Sequence, residues 1–233
     1  MKFKNICGKL SAFEWALWIF SVAGVTLSFL LGENKDVLTL IASLIGVTAL
    51  IFVAKGYVLG QLLTVVFAVF YGIISFFLAY YGEMITYLCM SAPIAALSVV
   101  SWLKNPYMGS SEVAVHKLTR KQWTVMALLA AAVTAAFYFI LKAFGTPRLW
   151  VSTLSVTTSF LASALMFYRN SGYALAYAAN DAVLITLWVL ASLEDIRYLP
   201  MIACFLTFFV NDLYGFISWK RRELRQHAEH TAE

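Results

Sequence analysis

Two dipeptides, Asn180-Asp181 and Asn211-Asp212, sit inside stretches that are otherwise almost wholly apolar: YAANDAVLITLW (177–188) and VNDLYGFISW (210–219). An amide beside a carboxyl group supplies donors and acceptors for hydroxyls, and a carboxylate is also a counter-charge for a cation. Inside a lipid-embedded segment each uncompensated charge costs on the order of 3 kcal/mol, so such groups face the interior of a helix bundle and mark functional sites.

Other polar residues fall on shared helical faces. Gln61, Thr64, Tyr71 and Ser75 form one stripe at i, i+3, i+10 and i+14. Ser155, Ser159 and Ser163 recur every fourth residue. Tyr173, Tyr177, Asn180, Asp181 and Trp188 share a face, as do Thr207, Asn211 and Tyr214, with Asp212 beside them. The ordinary reading of membrane serines and threonines is packing or bonding back to their own helix. Tyrosines at span ends, such as Tyr80, Tyr81 and Tyr173, belong by default to the interfacial belt. Glu14, near an end, is expected to snorkel.

The residue inventory excludes several chemistries. Cys7, Cys89 and Cys204 are scattered, with neither disulfide nor metal spacing. His116, His227 and His230 lie in a loop or the tail, so no intramembrane histidine can ligate a metal or serve a nucleophile. No metal and no cofactor is expected, and no catalytic residue is assigned. A carboxyl pair could do acid–base work, so a membrane-embedded enzyme or a scaffold stays as the minor alternative. No Lys or Arg lies in the middle of a span, which disfavours a phosphorylated ligand. Amides, hydroxyls, aromatic rings and two carboxyls suit a neutral or cationic solute with hydroxyls and a flat ring.

These residues need helices to hold them. The chain is 62% hydrophobic and 12% charged, against about a quarter charged in a soluble domain, and its mean hydropathy is +0.80. Apolar runs of spanning length recur throughout, and only helices satisfy their own backbone in lipid. The sequence predicts an all-α integral membrane protein with eight spans: Phe13–Leu31, Val37–Val53, Tyr57–Tyr80, Met84–Leu103, Trp123–Phe144, Val151–Phe167, Tyr173–Leu193 and Leu199–Trp219. The first is too long for a cleaved signal and lacks a small-residue cleavage site. With an even number of spans, 13 of the 17 Lys and Arg fall on the side of both termini, which places both in the cytoplasm. The net charge of +5 is then a topology signal and no sign of nucleic-acid binding. The basic tail after Trp219 is expected to meet lipid headgroups of the bilayer.

An internal repeat organises the spans. KGYVLG (55–60) matches SGYALA (171–176) at an offset of 116, and VVSWLKN (99–105) matches FISWKRR (216–222) at an offset of 117. The expected division is an extra N-terminal helix in 1–36, a three-helix bundle in 37–104, a loop and linking helix in 105–149, a second three-helix bundle in 150–219 and a tail in 220–233. A single linking span makes this 3+1+3 repeat parallel, a transporter architecture with the ligand between the halves near mid-membrane.

The closing segment NDLYGFISWKRR (211–222) resembles the signature ending the last span of the PnuC family of bacterial nicotinamide riboside transporters. FYGIISFFLAYYGEM (70–84), SVTTSFLASALMFYRN (155–170) and AYAANDAVLITLW (176–188) are similar to further family segments. The resemblance runs from about the second span to Trp219. It implies a fold like that of the sugar-transporting SWEET proteins, a homotrimer in the bacterial inner membrane, and facilitated diffusion drawn inward by phosphorylation of the imported nicotinamide riboside. It also matches Asp181, Asn211 and Tyr214 to family site residues. A Trp-x-x-Trp pair common in the family is Ala174 and Tyr177 here, and a common glutamine is Ser163. Related branches carry thiamine or other nucleosides, so thiamine is the first alternative substrate. The expected substrate-binding set is Gln61, Tyr71, Ser159, Ser163, Tyr177, Asn180, Asp181, Trp188, Asn211, Asp212 and Tyr214. The two Asn-Asp pairs would line a cavity of the second bundle, Gln61 and Tyr71 would close it, and a kink at Pro93 would serve as a hinge.

Overall fold

The structure is a computed structural model, described here for residues 9–31, 37–77 and 81–232. Eight helices of spanning length and apolarity occur among the described residues. They are α1 (Ala12–Leu31), α2 (Val37–Ala54), α3 (Val58–Phe77), α4 (Tyr81–Lys104), α5 (Arg120–Ala143), α6 (Leu149–Phe167), α7 (Tyr173–Ser192) and α8 (Leu199–Ala232). Tyr80, at the end of the expected third span, lies outside the described residues.

Local sequence sets the helix ends. Ser11 and Glu14 form a capping box at α1: the Ser11 N–H donates to Glu14 Oε2 (2.6 Å) and the Glu14 N–H to Ser11 Oγ (3.3 Å). Thr119 and Gln122 form another at α5. After α2, Gly56 takes a left-handed φ of 67°, and the amides of Gly56 and Tyr57 donate back to Val53 and Phe52. After α6, Arg169 (φ 57°) and Asn170 make the same pair of bonds to Met166 and Leu165.

Six helices form a closed ring. α2 packs on α3, α3 on α4, α6 on α7 and α7 on α8, and the ring closes where α4 meets α6 and α2 meets α8. α5 lies outside against α6, and α1 lies against α2 and α8. Both outer helices turn large apolar side chains outward, among them Phe20, Leu128 and Phe139, as a lipid-facing surface requires.

Two details depart from expectation. In α4 the stretch Thr86–Ser91, just before Pro93, is π-helical, and the Ala92 amide reaches back five residues to the Tyr87 carbonyl. Pro93 then begins the following α-helical stretch, where its missing N–H is tolerated. The basic tail is not a simple headgroup contact either. It continues α8 as helix to Ala232. Arg222 is buried, pairs with Glu112 at 3.4 Å and donates to the Ala54 carbonyl, while Gln226 holds the backbone of Val113 and Val115. Arg225 also pairs with Glu112, and Tyr107 with Glu229. A buried guanidinium needs a partner more than it needs lipid, and the 105–119 loop supplies one.

Candidate substrate cavity

All six ring helices contribute to one central cavity. Its wall includes Gly46 from α2, Thr64 and Phe67 from α3, Tyr87 and Ser91 from α4, Ser159 from α6, Tyr177, Asn180 and Asp181 from α7, and Phe205, Phe208 and Asp212 from α8. Helical spacing explains the convergence: Tyr177 and Asp181 are one turn apart, and Phe205, Phe208 and Asp212 follow at i, i+3 and i+7. The cavity measures ≈ 70 Å³, room for several waters and too little for a sugar carrying a ring.

Asp181 on α7 and Asp212 on α8 are both buried and line the same cavity. Asp181 Oδ2 and Ser91 Oγ are buried with no partner. Such groups are normally satisfied in a finished core; here they face a cavity. The Thr158 hydroxyl donates to Asn180 Oδ1 at 2.8 Å and thereby orients that amide. Ser163 and the Tyr177 hydroxyl hydrogen-bond at 2.9 Å, which fixes the ring that walls the cavity.

Of the expected site residues, Ser159, Tyr177, Asn180, Asp181 and Asp212 line this cavity, and Ser163 stands behind Tyr177. The cavity is not a property of the second three helices, since α2, α3 and α4 supply half of its helices. Tyr71 backs the wall, its ring centroid 4.3 Å from that of Tyr87 and 5.6 Å from that of Phe67. Gln61 is fully buried on α3 outside the lining, with neither side-chain polar atom partnered. Trp188 is buried outside the lining, in the same apolar cluster as Phe205 and Phe208, with its ring centroid 5.6 Å from that of Tyr198.

Asn211 and Tyr214 also stand outside the lining. One position around α8 from Asp212, the Asn211 amide donates to Ser21 Oγ of α1 and to the Thr207 carbonyl, both at 2.8 Å. The Tyr214 hydroxyl donates to Glu14 Oε1 at 2.7 Å. Glu14 does not snorkel: it is buried, with Lys55 Nζ at 3.2 Å. α1 covers this face of α8: the Asn211 amide nitrogen and the Tyr214 hydroxyl bond to it, while Asn211 Oδ1 is buried with no partner.

A model of the nicotinamide mononucleotide transporter family matches residues 36–221. The chain belongs to this family. It is similar to the nicotinamide riboside transporter PnuC of Neisseria mucosa, 23% identical over 223 residues that cover 94% of this chain and 84% of that one. It is similar also to the protein of the same name from Haemophilus influenzae, 24% identical over 186 residues, 79% of each. Among solved structures, a crystal structure of the vitamin B3 transporter PnuC matches with a TM-score of 0.82 at 22% identity, covering 96% of this chain and 97% of that one. That likeness establishes the fold. Family and relatives are transporters, so this chain is a multi-pass membrane transporter and not an enzyme.

Within the family frame, Ala174 is fully buried beside Trp219 and within 3.4 Å of the Cβ position of Gly215, so a tryptophan has no room there. Tyr177 at the companion position does reach the cavity. The residues that sequence reasoning passed over are mostly aromatic: Phe67, Tyr87, Phe205 and Phe208. Phe67 lies on the Gln61–Thr64–Tyr71 stripe, and Phe208 one turn before Asp212, so both were readable from spacing. Tyr87 and Ser91 were not, because the π-helical stretch shifts their direction off any 3.6-residue pattern.

Proposed function

We propose that this transporter carries nicotinamide riboside across a bacterial inner membrane by facilitated diffusion through the central cavity. The observation that carries this reading is the charge of the wall. Among the described residues, two carboxyl groups and no Lys or Arg line the cavity. A mononucleotide brings a phosphate, which such a wall repels and cannot pair. The riboside brings a cationic pyridinium ring, which Asp181 and Asp212 attract, and hydroxyls, which Asn180, Ser159 and Ser91 can meet. Phe67, Tyr87, Phe205 and Phe208 offer ring faces for stacking. The names of the relatives agree with this substrate.

The remaining features of the proposal follow from carrier physics. The cavity at ≈ 70 Å³ is too small for the substrate, so the ring must widen at one end and then the other, the two sets of three helices rocking about the site. With no gradient coupled, import is drawn by phosphorylation of the riboside inside the cell. Both termini and the basic loops face the cytoplasm, and the assembly is a homotrimer. A direct test is competition: uptake of labelled nicotinamide riboside into liposomes should be blocked by excess unlabelled riboside and not by nicotinamide mononucleotide. Inhibition by thiamine of equal strength would move the substrate assignment to another flat cation.

A further inference from the structure

We propose that a second cavity, at the membrane end opposite the basic loops, is an entry subsite that captures a cationic ring on Glu83 before it reaches the centre; this rests on the substrate reading above. The cavity measures ≈ 260 Å³, several times the central one. It lies where α4 begins, α5 ends, α6 begins and α7 ends, and Glu83 and Thr86 line it beside Tyr81, Phe144, Thr146 and the Arg148–Glu194 pair.

Glu83 is more than nine-tenths buried, and among the described residues no side chain hydrogen-bonds or ion-pairs with it. A carboxyl group kept for structure is normally bonded, and a lone buried carboxylate is stabilised chiefly by an arriving counter-charge. The arginine in the same wall does not serve: Arg148 is engaged by Glu194 at 2.8 Å and by the Leu190 carbonyl at 2.6 Å. Glu194 engages Arg148, so Glu83 is the carboxyl group of the lining that no described side chain engages. Tyr81 and Phe144, both exposed and with ring centroids 6.1 Å apart, line this cavity and offer aromatic faces to a cation.

The continuation of the path is in the same helix. Glu83 and Thr86 face the outer cavity, whereas Tyr87 and Ser91, within the π-helical stretch, face the central one. A solute released from Glu83 therefore meets the central wall along α4. Transfer from one carboxyl to the Asp181–Asp212 pair keeps a positive ring next to a negative partner at each stage.

The test uses the full chain in liposomes with labelled nicotinamide riboside outside. In the wild type, 1-methylnicotinamide, a cationic ring without ribose, should inhibit competitively, and neutral nicotinamide at the same concentration should not. Glu83→Gln should raise the half-saturating concentration about tenfold and abolish that inhibition, while Glu83→Asp keeps it. Normal half-saturation and undiminished inhibition in Glu83→Gln would overturn the subsite. Absent riboside uptake in the wild type would instead overturn the substrate reading. A second measurement is independent of both uptake and the stability of Glu83→Gln. Thr146→Cys, compared with the parent chain, should react at least about tenfold faster with a cationic than with a neutral methanethiosulfonate, and 1-methylnicotinamide should protect it. Equal rates without protection would also overturn the proposal.

Discussion

Trp102 and Trp219 lie with ring centroids 5.4 Å apart, and each indole N–H donates to a carbonyl at the end of a helix in the opposite set of three: Trp102 to Met166 (3.2 Å), Trp219 to Val53 (2.9 Å). The serines before them do the same, Ser101 to Phe167 and Ser218 to Ala54. The exchange ties α4 to α6 and α8 to α2, the two contacts that close the ring. Trp219→Phe keeps a ring in place and removes one donor. Val53 O also accepts from Gly56, so the carbonyl is not orphaned and the cost should be about 1 kcal/mol. Thermal unfolding in detergent should show a lowered midpoint for Trp219→Phe and a similar one for Trp102→Phe.

Glu14 joins α1 to α8 through Tyr214 and to the α2–α3 turn through Lys55. Glu14→Gln can still accept from Ser11 and Tyr214 but leaves Lys55, itself mostly buried, without its counter-charge. The loss should be about 1 kcal/mol, screened by the partial exposure of Lys55. Adding Lys55→Gln should cost less than the sum of the single changes, and a double-mutant cycle on thermal stability measures that coupling.

Asp181 and Asp212 sit in the cavity with more acceptors than partners. Asp181→Asn and Asp212→Asn preserve volume and remove the negative partner of a cationic ring. Each should reduce riboside uptake by about tenfold or more while leaving the thermal midpoint unchanged or higher, because a buried carboxyl pair is relieved. Lowered stability together with normal uptake per folded molecule would assign the pair a structural role.

Gly46 is a point of α2 in the cavity wall where two aromatic rings pack close to the backbone. A Cβ there lies 2.7 Å from Phe208 Cζ and 3.2 Å from the Phe67 ring. Gly46→Ala should push both rings into the cavity, costing about 1–3 kcal/mol and slowing uptake severalfold. Gly24→Ala on α1 is the control, since its nearest neighbour, Thr207 Oγ1, is 3.9 Å away; stability and uptake should both hold.

Fold and site were legible to different depths. Helix number and placement followed from apolar length alone, because lipid leaves the backbone no alternative to helix. Asp181, Asp212 and Asn180 were legible because a polar group in lipid needs a reason. Asn211 and Tyr214 had the same credentials and point elsewhere. Nothing in α8 says that α1 will lie on that face; the partner of Asn211 is Ser21, 190 residues away. Tyr87 and Ser91 were hidden by a π-helical stretch, and Glu83 by its place near a span end, where a carboxylate ordinarily reaches water. The reach of α8 past the membrane was hidden too, since a basic run after a tryptophan reads as a stop until Glu112 is seen to meet it.

The most direct measurement of the central claim is net flux of labelled nicotinamide riboside into liposomes holding the purified protein, with no ion gradient, beside the same liposomes holding Asp181→Asn. The account predicts uptake that stops at equal internal and external concentration in the wild type and is about tenfold slower in the variant. Accumulation above the external concentration would contradict facilitated diffusion. Equal rates in the two would contradict the role given to the cavity carboxyl groups.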